Sequence, residues 1–152
     1  MAQRKRSSCG LHLVDPDRDC NSCELPKKCI GEGLSKDQID TISSIIQQQG
    51  PIKPGEAIFR MEDRFKSIYA IQSGAVKIES ALDDGTPLIH GFYFSGELVG
   101  VEAVGATHYQ SDAIALDTTW VCEIPFERIE TLCSETPKIG RAHVELQSPY
   151  DL

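Results

Sequence analysis

The chain has 152 residues, of which 40% are hydrophobic and 25% are charged, so its size and composition suit one globular domain. Its formal net charge of −8 is unevenly spread: residues 1–50 carry seven Lys/Arg and seven Asp/Glu, whereas residues 51–138 carry seven and fourteen, a net −7. A surface of that sign repels phosphates, so the composition argues against DNA or RNA binding by this chain alone.

No membrane segment is predicted, because the longest apolar runs, such as Ala113-Ile114-Ala115-Leu116, extend over only a few residues. The basic start, residues 1–6, is not followed by an apolar segment, so it is not a secretory signal. We therefore expect a reducing, cytoplasmic setting, in which metal thiolates persist.

Residues 1–34 show neither a helical nor a strand period, and we interpret them as an arm that becomes ordered by binding a metal. Cys20, Cys23 and Cys29 lie in this arm with the spacing C-x2-C-x5-C. Thiolates at such a spacing suit an iron–sulfur cluster or zinc. We predict that they supply three ligands to a cluster and that a fourth comes from further along the chain.

A helix is predicted to begin at Ser35, which forms a capping-box pattern with Gln38. Isoleucines at three- and four-residue steps give it one apolar stripe, and Gly50-Pro51 is expected to end it. The members of this stripe are Ile39, Ile42, Ile45 and Ile46.

From Pro51 the period changes to two and turn residues recur, which predicts an antiparallel sandwich or barrel. Asp83 to Thr86 is a predicted hairpin turn. The predicted strands cover residues 57–59, 67–71, 75–79, 88–94, 111–116 and 119–124. Pro125 is expected to open a short helix with Phe126, Ile129 and Leu132 on its apolar face.

Three cysteines compete as the fourth ligand: Cys9 in the arm, Cys122 in a strand and Cys133 in the last helix. Strand alternation puts Cys122 on one face with Trp120 and Ile124, where a lone cysteine could equally be a small core residue. Spacing favours Cys122 over Cys133 only modestly. Zinc stays open as the metal, although only one C-x2-C pair is present and the four histidines are scattered.

The segment Gly96-Glu97-Leu98-Val99-Gly100 could be a plain β-bend or a place where backbone N–H groups approach a phosphate. Residues 103–113 contain no Lys or Arg, so the segment is poorly equipped to bind an anion. The sequence contains no G-x-S-x-G, H-E-x-x-H or P-loop pattern, and we do not expect an enzyme.

Taken together, these motifs resemble the CRP/FNR family of bacterial regulators and, within it, the oxygen-responsive FNR type. The resemblance covers about residues 9–138. It rests on the cysteine triplet before a capped helix, Gly55-Glu56, Tyr69-Ala70-Ile71-Gln72-Ser73-Gly74, Gly91-Phe92, the Gly96–Gly100 segment and Val121-Cys122-Glu123-Ile124-Pro125-Phe126.

The resemblance implies a cyclic-nucleotide-binding-like jelly roll (a double-stranded β-helix) with a Cys-rich arm and short flanking helices. It also implies a 4Fe–4S cluster on Cys20, Cys23, Cys29 and Cys122, which oxygen converts to a 2Fe–2S form. In the family, low oxygen preserves the cluster and an active homodimer that binds DNA. Oxygen weakens the dimer and releases the DNA. The alternative function is a zinc-bound or metal-free jelly-roll module for protein interactions.

Two further expectations come from the resemblance. In the cyclic-AMP-binding branch an Arg-Ser pair holds the cyclic phosphate, and the matching position here is Gln110-Ser111, so no cyclic nucleotide should bind. The loop around Asp83-Asp84-Gly85 is similar to the surface by which family members contact RNA polymerase.

The predicted organisation is an arm at residues 1–34, a sensor domain at 35–138 and a tail at 139–152 that departs from the family. Pro149 interrupts the tail, which lacks the sustained apolar stripe of a dimerisation helix and resembles translated adapter DNA. We expect the helix-turn-helix domain to be absent, and we expect this chain to be a monomer because it lacks the helix that buries the dimer interface, whereas its full-length parent is expected to be a dimer.

Overall fold

The computed structural model describes residues 35–135, together with Cys20 and Cys23. This part of the chain folds into two four-stranded antiparallel sheets with two α-helices, which confirms the predicted mainly β fold class. The elements are α1 (Lys36–Ser43), β1 (Gln47–Ile52), β2 (Ala57–Phe59), β3 (Ser67–Ser73), β4 (Ala75–Ala81), β5 (Pro87–Phe94), β6 (Leu98–Val99), a 3-10 turn (Val101–Ala103), β7 (Asp112–Ala115), β8 (Thr119–Pro125) and α2 (Phe126–Glu135).

Sheet I has the strand order β1-β8-β3-β6, and sheet II has the order β2-β7-β4-β5. The buried core between the sheets, here called the inner core, includes Ile71, Val76, Val99 and Val121. Strands β3 and β8 of sheet I therefore turn alternate residues toward sheet II.

The opposite face of sheet I, here called its outer face, is also apolar. Ile68 and Ile124 on that face pack with Ile42 of α1 and Ile129 of α2 in a second buried cluster, here called the outer core. Sheet I is thus covered on both faces, by sheet II on one side and by the two helices on the other.

Helix α1 begins as its sequence predicts. The Gln38 backbone N–H donates to Ser35 Oγ at 3.4 Å, and the Ser35 N–H donates to Gln38 Oε1 at 2.9 Å. This reciprocal capping box satisfies two N–H groups that the first turn would otherwise leave unpaired.

The predicted end of this helix is wrong. The helix stops at Ser43, and Gln47–Ile52 forms strand β1 instead of a helical continuation to Gly50-Pro51. Backbone pairing with β8, in which Gln47 lies opposite Glu123, outweighs the helical spacing of the isoleucines. Ile46 still packs against the outer core, but from the connection between α1 and β1.

The predicted strands are confirmed, with shifts of at most two residues at their ends. Two details differ: Pro125 is the last residue of β8 rather than the first of a helix, and α2 begins at Phe126. The short strand β6 and the 3-10 turn after it had no periodic signal, because each is only two or three residues long. Among the described residues, no helix is long and apolar enough to cross a membrane.

Strand β5 forms one edge of sheet II and exposes several large apolar side chains. Phe92 and Phe94 are 53% and 55% exposed, and Leu88 and Ile89 are 43% and 48% exposed. An apolar edge strand of this kind favours association between molecules at high concentration.

Gly74 joins β3 to β4 at a φ of +100°, where an added Cβ would lie 2.7 Å from the Thr118 carbonyl oxygen and 2.8 Å from Thr119 Cα. We expect Gly74→Ala to lower the free energy of unfolding by about 3 kcal/mol, because strain from positive φ adds to the backbone clash. Urea unfolding measures this. Gly85→Ala is the matched control, since Gly85 has a φ of +85° and an added Cβ meets nothing within 4 Å. It should cost about 1 kcal/mol, and equal losses would contradict the role assigned to the clash.

Candidate metal centre

Cys122 lies near the middle of β8, on the outer face of sheet I. It is half-buried, and it packs against the outer core to which Ile124 belongs. Across the sheet it faces Gln48 of β1 on one side and Ala70 of β3 on the other. Hydrogen-bonded strands on both sides therefore fix the backbone that carries this thiol. Cys122 and Ile124 lie on the same face of the sheet, as the alternation of β8 predicted.

Cys20 lies against helix α1. Its backbone N–H donates a 3.3 Å hydrogen bond to Ser43 Oγ, in the last turn of the helix. The neighbouring residue Ile42 is buried in the outer core, to which Cys122 also belongs. Cys20 is therefore joined to the helix that covers the face on which Cys122 lies. Cys23 is half-buried as well.

Cys133 lies on α2 and also packs against the outer core. Burial raises the pKa of its thiol above the ordinary value, and the carboxylate of Glu130 raises it further. Because the thiolate is the form that binds metals, these surroundings make Cys133 a poor ligand.

The four predicted ligands are only partly within the described residues. Cys20, Cys23 and Cys122 are described, whereas Cys29 lies outside, as does the competing Cys9. Within residues 35–135 plus Cys20 and Cys23, no three His, Cys, Asp or Glu side chains are grouped closely enough to hold a metal ion. The four-cysteine set therefore stays a prediction.

Two glutamines beside Cys122 form a polar feature that sequence reasoning missed. Gln48 Nε2 donates a hydrogen bond to Gln72 Oε1, and Gln72 is only 8% exposed. Gln48 Oε1 is buried and, among the described residues, has no hydrogen-bond partner. Alternation along β1 places Gln48 on the opposite face from Gln47 and Gln49, and this could have indicated a polar group beside Cys122. The sequence analysis did not predict β1, so this signal was not used.

A second polar network lies at one end of the inner core. Ser67 Oγ donates to Glu123 Oε1 at 2.8 Å, and Tyr109 donates its hydroxyl to the Ser67 carbonyl oxygen. Burial, helped by the charge of Glu123, raises the pKa of Tyr69, so this phenol stays protonated. These hydrogen bonds tie β3, β8 and the loop before β7 together, which indicates a structural role.

The segment from Gly96 to Gly100 forms a tight connection between β5 and the 3-10 turn. Glu97 Oε2 accepts a 2.6 Å hydrogen bond from the Phe94 backbone N–H, so this carboxylate stabilises the turn. Ser111 is buried, and its hydroxyl donates to Glu102 Oε1 at 3.3 Å. A carboxylate thus lies beside Ser111, where it would repel a phosphate, and the lack of anion binding stays a prediction.

The hairpin between β4 and β5 is an exposed turn closed by the Leu82 N–H, which donates to the Thr86 carbonyl oxygen at 2.9 Å. Asp84 Oδ1 accepts a 2.9 Å hydrogen bond from the Thr86 N–H, which lowers the pKa of the Asp84 carboxyl. This turn confirms the predicted hairpin.

Comparison with known proteins gives consistent relatives. Residues 50–136 match the family model described as "Cyclic nucleotide-binding domain". The chain is 36% identical over 140 residues to the fumarate and nitrate reduction regulatory proteins of Escherichia coli K12 and Salmonella typhimurium. The match covers 92% of this chain and 53% of each relative, so the chain spans about half the length of those proteins.

Solved structures agree on the fold. The catabolite activator protein of Thermus thermophilus superposes with a TM-score of 0.68 at 21% identity, covering 77% of this chain and 55% of that one. DNR from Pseudomonas aeruginosa superposes with a TM-score of 0.64 at 20% identity, covering 82% and 53%. At this identity the likeness concerns the fold alone.

Proposed function

Because this chain belongs to the CRP/FNR family of transcription regulators, we propose that it is the oxygen-sensing part of an FNR-type regulator and holds an iron–sulfur cluster on Cys20, Cys23, Cys29 and Cys122. One observation carries the proposal. Cys20, from the arm, is hydrogen-bonded to α1, and α1 packs on the sheet face that bears Cys122. Cys20 and Cys122, which are far apart in sequence, thus both lie next to the layer formed by α1 and the outer face of sheet I.

The donor set fits such a group chemically. Iron–sulfur clusters are held by cysteine thiolates, and C-x2-C followed by further cysteines is a spacing that such clusters use. The raised pKa of the Cys133 thiol counts against that competing cysteine. Helices α1 and α2 pack on the outer face of sheet I, where Cys122 is half-buried.

A bound 4Fe–4S cluster would supply the chemistry that this chain's own residues lack, namely a reaction with oxygen that converts it to a 2Fe–2S form. The protein's own part is positional. Strand β8 holds Cys122 in a fixed frame, and Ser43 holds the backbone of Cys20. Loss of ligation would leave the arm with fewer contacts to α1, and this order–disorder change is the proposed output.

We extend the proposal to the whole protein. A homodimer with a helix-turn-helix domain would bind DNA, and the β4–β5 hairpin with Asp83 and Asp84 would contact RNA polymerase. The described part of the chain fits a sensory role rather than a catalytic one. At the end of the inner core the Ser67 hydroxyl donates to the half-buried Glu123 carboxylate, and the Tyr109 hydroxyl donates to the Ser67 carbonyl oxygen.

The test is anaerobic reconstitution of the full 152-residue chain with iron and sulfide, followed by visible spectra before and after air is admitted. We expect a broad visible band that changes on exposure to air, with iron and sulfide present in equal amounts. A colourless protein that binds zinc or no metal would overturn the proposal. It would favour the alternative of a structural interaction module with the same fold.

The proposal includes an absence of cyclic-nucleotide binding. Glu102 accepts the hydrogen bond of Ser111, and Gln110 supplies no positive charge, so a cyclic phosphate would meet a carboxylate instead of an arginine. Calorimetric titration with cyclic AMP should give no binding heat, with a cyclic-AMP-binding protein as the positive control. Micromolar affinity would contradict this expectation.

A further inference from the structure

The hydrogen bond between Gln48 and Gln72 crosses over strand β8. Gln48 lies on β1 and Gln72 on β3, and β8 runs between these two strands. Neighbouring strands are about 4.8 Å apart, so the two backbones are separated by about 9.6 Å. The joined carboxamides therefore form a bridge above β8 on the outer face of sheet I.

The bridge lies next to Cys122. Gln48 is directly opposite Cys122 in the β1–β8 register, a position at which Cβ atoms are about 5 Å apart. Gln72 is the residue at which the β3–β8 register shifts, between the pairs Ile71–Val121 and Ser73–Trp120. On the other side of Cys122 lies the small residue Ala70, which is buried in the outer core.

The bridge has one end unused. Gln48 Oε1 is buried and lacks a hydrogen-bond partner among the described residues, and a buried polar atom in that state is costly. The oxygen and nitrogen of a glutamine amide exchange places by rotation about one bond. If both amides rotate together, Gln72 Nε2 donates to Gln48 Oε1, and the Gln48 N–H group becomes the buried free end.

We propose that the free end of the Gln48–Gln72 carboxamide bridge turns to the neighbouring Cys122 sulfur and donates an N–H···S hydrogen bond to the thiolate when a cluster is bound. The inference about the cluster-bound form rests on the function proposed above. Hydrogen bonds to cluster sulfurs change the reduction potential of a cluster. The bridge is therefore a positioning element that adjusts how readily this protein responds to oxygen.

The first measurement is the decay of the visible band in air-saturated buffer after reconstitution. N–H···S bonds withdraw electron density from the thiolate, so Gln48→Leu should leave the cluster easier to oxidise. We expect decay roughly threefold faster or more, with a shifted visible spectrum, because a hydrogen bond to a charged group is among the stronger ones.

Gln47→Leu is the matched control, because Gln47 is the same residue type on the same strand, exposed, and one position away, so it points to the opposite face. The double variant Gln48→Leu/Gln72→Leu removes both amides without leaving one unpaired, and it should decay at the rate of Gln48→Leu. Decay of Gln48→Leu at the rate of Gln47→Leu would overturn the proposal.

A second measurement needs no cluster. In the reduced, metal-free chain, the side-chain amide resonances of Gln48 and Gln72 in ¹H–¹⁵N spectra should move on Cys122→Ala, while those of Gln47 should not. Unchanged Gln48 resonances would overturn the bridge. If the wild-type chain assembles no cluster but its Gln48 and Gln72 amide resonances move on Cys122→Ala, the proposed function would be refuted. The position of the Gln48–Gln72 bridge beside Cys122 would still be supported.

Discussion

Replacing Cys122 with alanine is expected to abolish the visible band that anaerobic reconstitution gives the wild-type chain, together with its bound iron and sulfide. Cys122 is carried by a strand paired on both sides, so its loss removes a rigid attachment point. Only three of the four proposed ligands, Cys20, Cys23 and Cys29, would then remain for a group that needs four. Iron and sulfide analysis beside the visible spectrum measures the loss.

The control is Cys133→Ala, which changes the other domain cysteine that packs on the same outer core. Its raised thiol pKa makes it a poor ligand, so this variant should retain the wild-type spectrum and iron content. The reverse pattern, with Cys133→Ala colourless and Cys122→Ala unchanged, would exchange the two assignments. Circular dichroism on both proteins separates ligand loss from unfolding.

The second large effect is expected at Ile124, which is fully buried in the outer core two residues beyond Cys122. Ile124→Ala should lower the free energy of unfolding by about 3 to 4 kcal/mol, because it removes buried methyl groups and leaves a cavity between sheet I and the helices. Urea or thermal unfolding of the metal-free chain measures this. A loss below about 1 kcal/mol would contradict the packing described.

Ile71 offers the matched comparison, since it is equally buried but lies in the inner core. Ile71→Ala should lose similar stability. The milder Ile124→Val and Ile71→Val substitutions, each costing about 1 kcal/mol, allow cluster decay to be compared in folded proteins. Only Ile124→Val should speed the decay in air, because only the outer core supports Cys122. Equal rates would show that the two faces act together.

The elements with strong local signals could be predicted from the sequence. The Ser35–Gln38 capping box and the turn around Gly85 follow from neighbouring residues alone, and both are present. Strand β1 could not be predicted, because Gln47-Gln48-Gln49 has low strand propensity and no apolar alternation. Its structure comes from pairing with β8, which is distant in sequence.

For the candidate metal centre, too, the sequence predicts local relations between residues but not their surroundings in the folded chain. Alternation along β8 predicts that Cys122 and Ile124 share a face, and they do. It cannot tell which face that is, because sheet I is covered on both sides and Val121 is as deeply buried as Ile124. Spacing offered only a modest preference for Cys122 over Cys133, since burial and the neighbouring Glu130 raise the pKa of Cys133 only in the folded chain.

The side chains of strand β8 face two different layers, depending on whether the residue number is odd or even. Odd positions such as Val121 pack toward sheet II, while even positions such as Cys122 and Ile124 adjoin the helices. Substitutions at the half-buried even position Cys122 therefore change the layer beneath the helices and leave the packing between the two sheets unchanged. For protein engineering, this makes Cys122 a position where a different side chain can be introduced while the scaffold is kept.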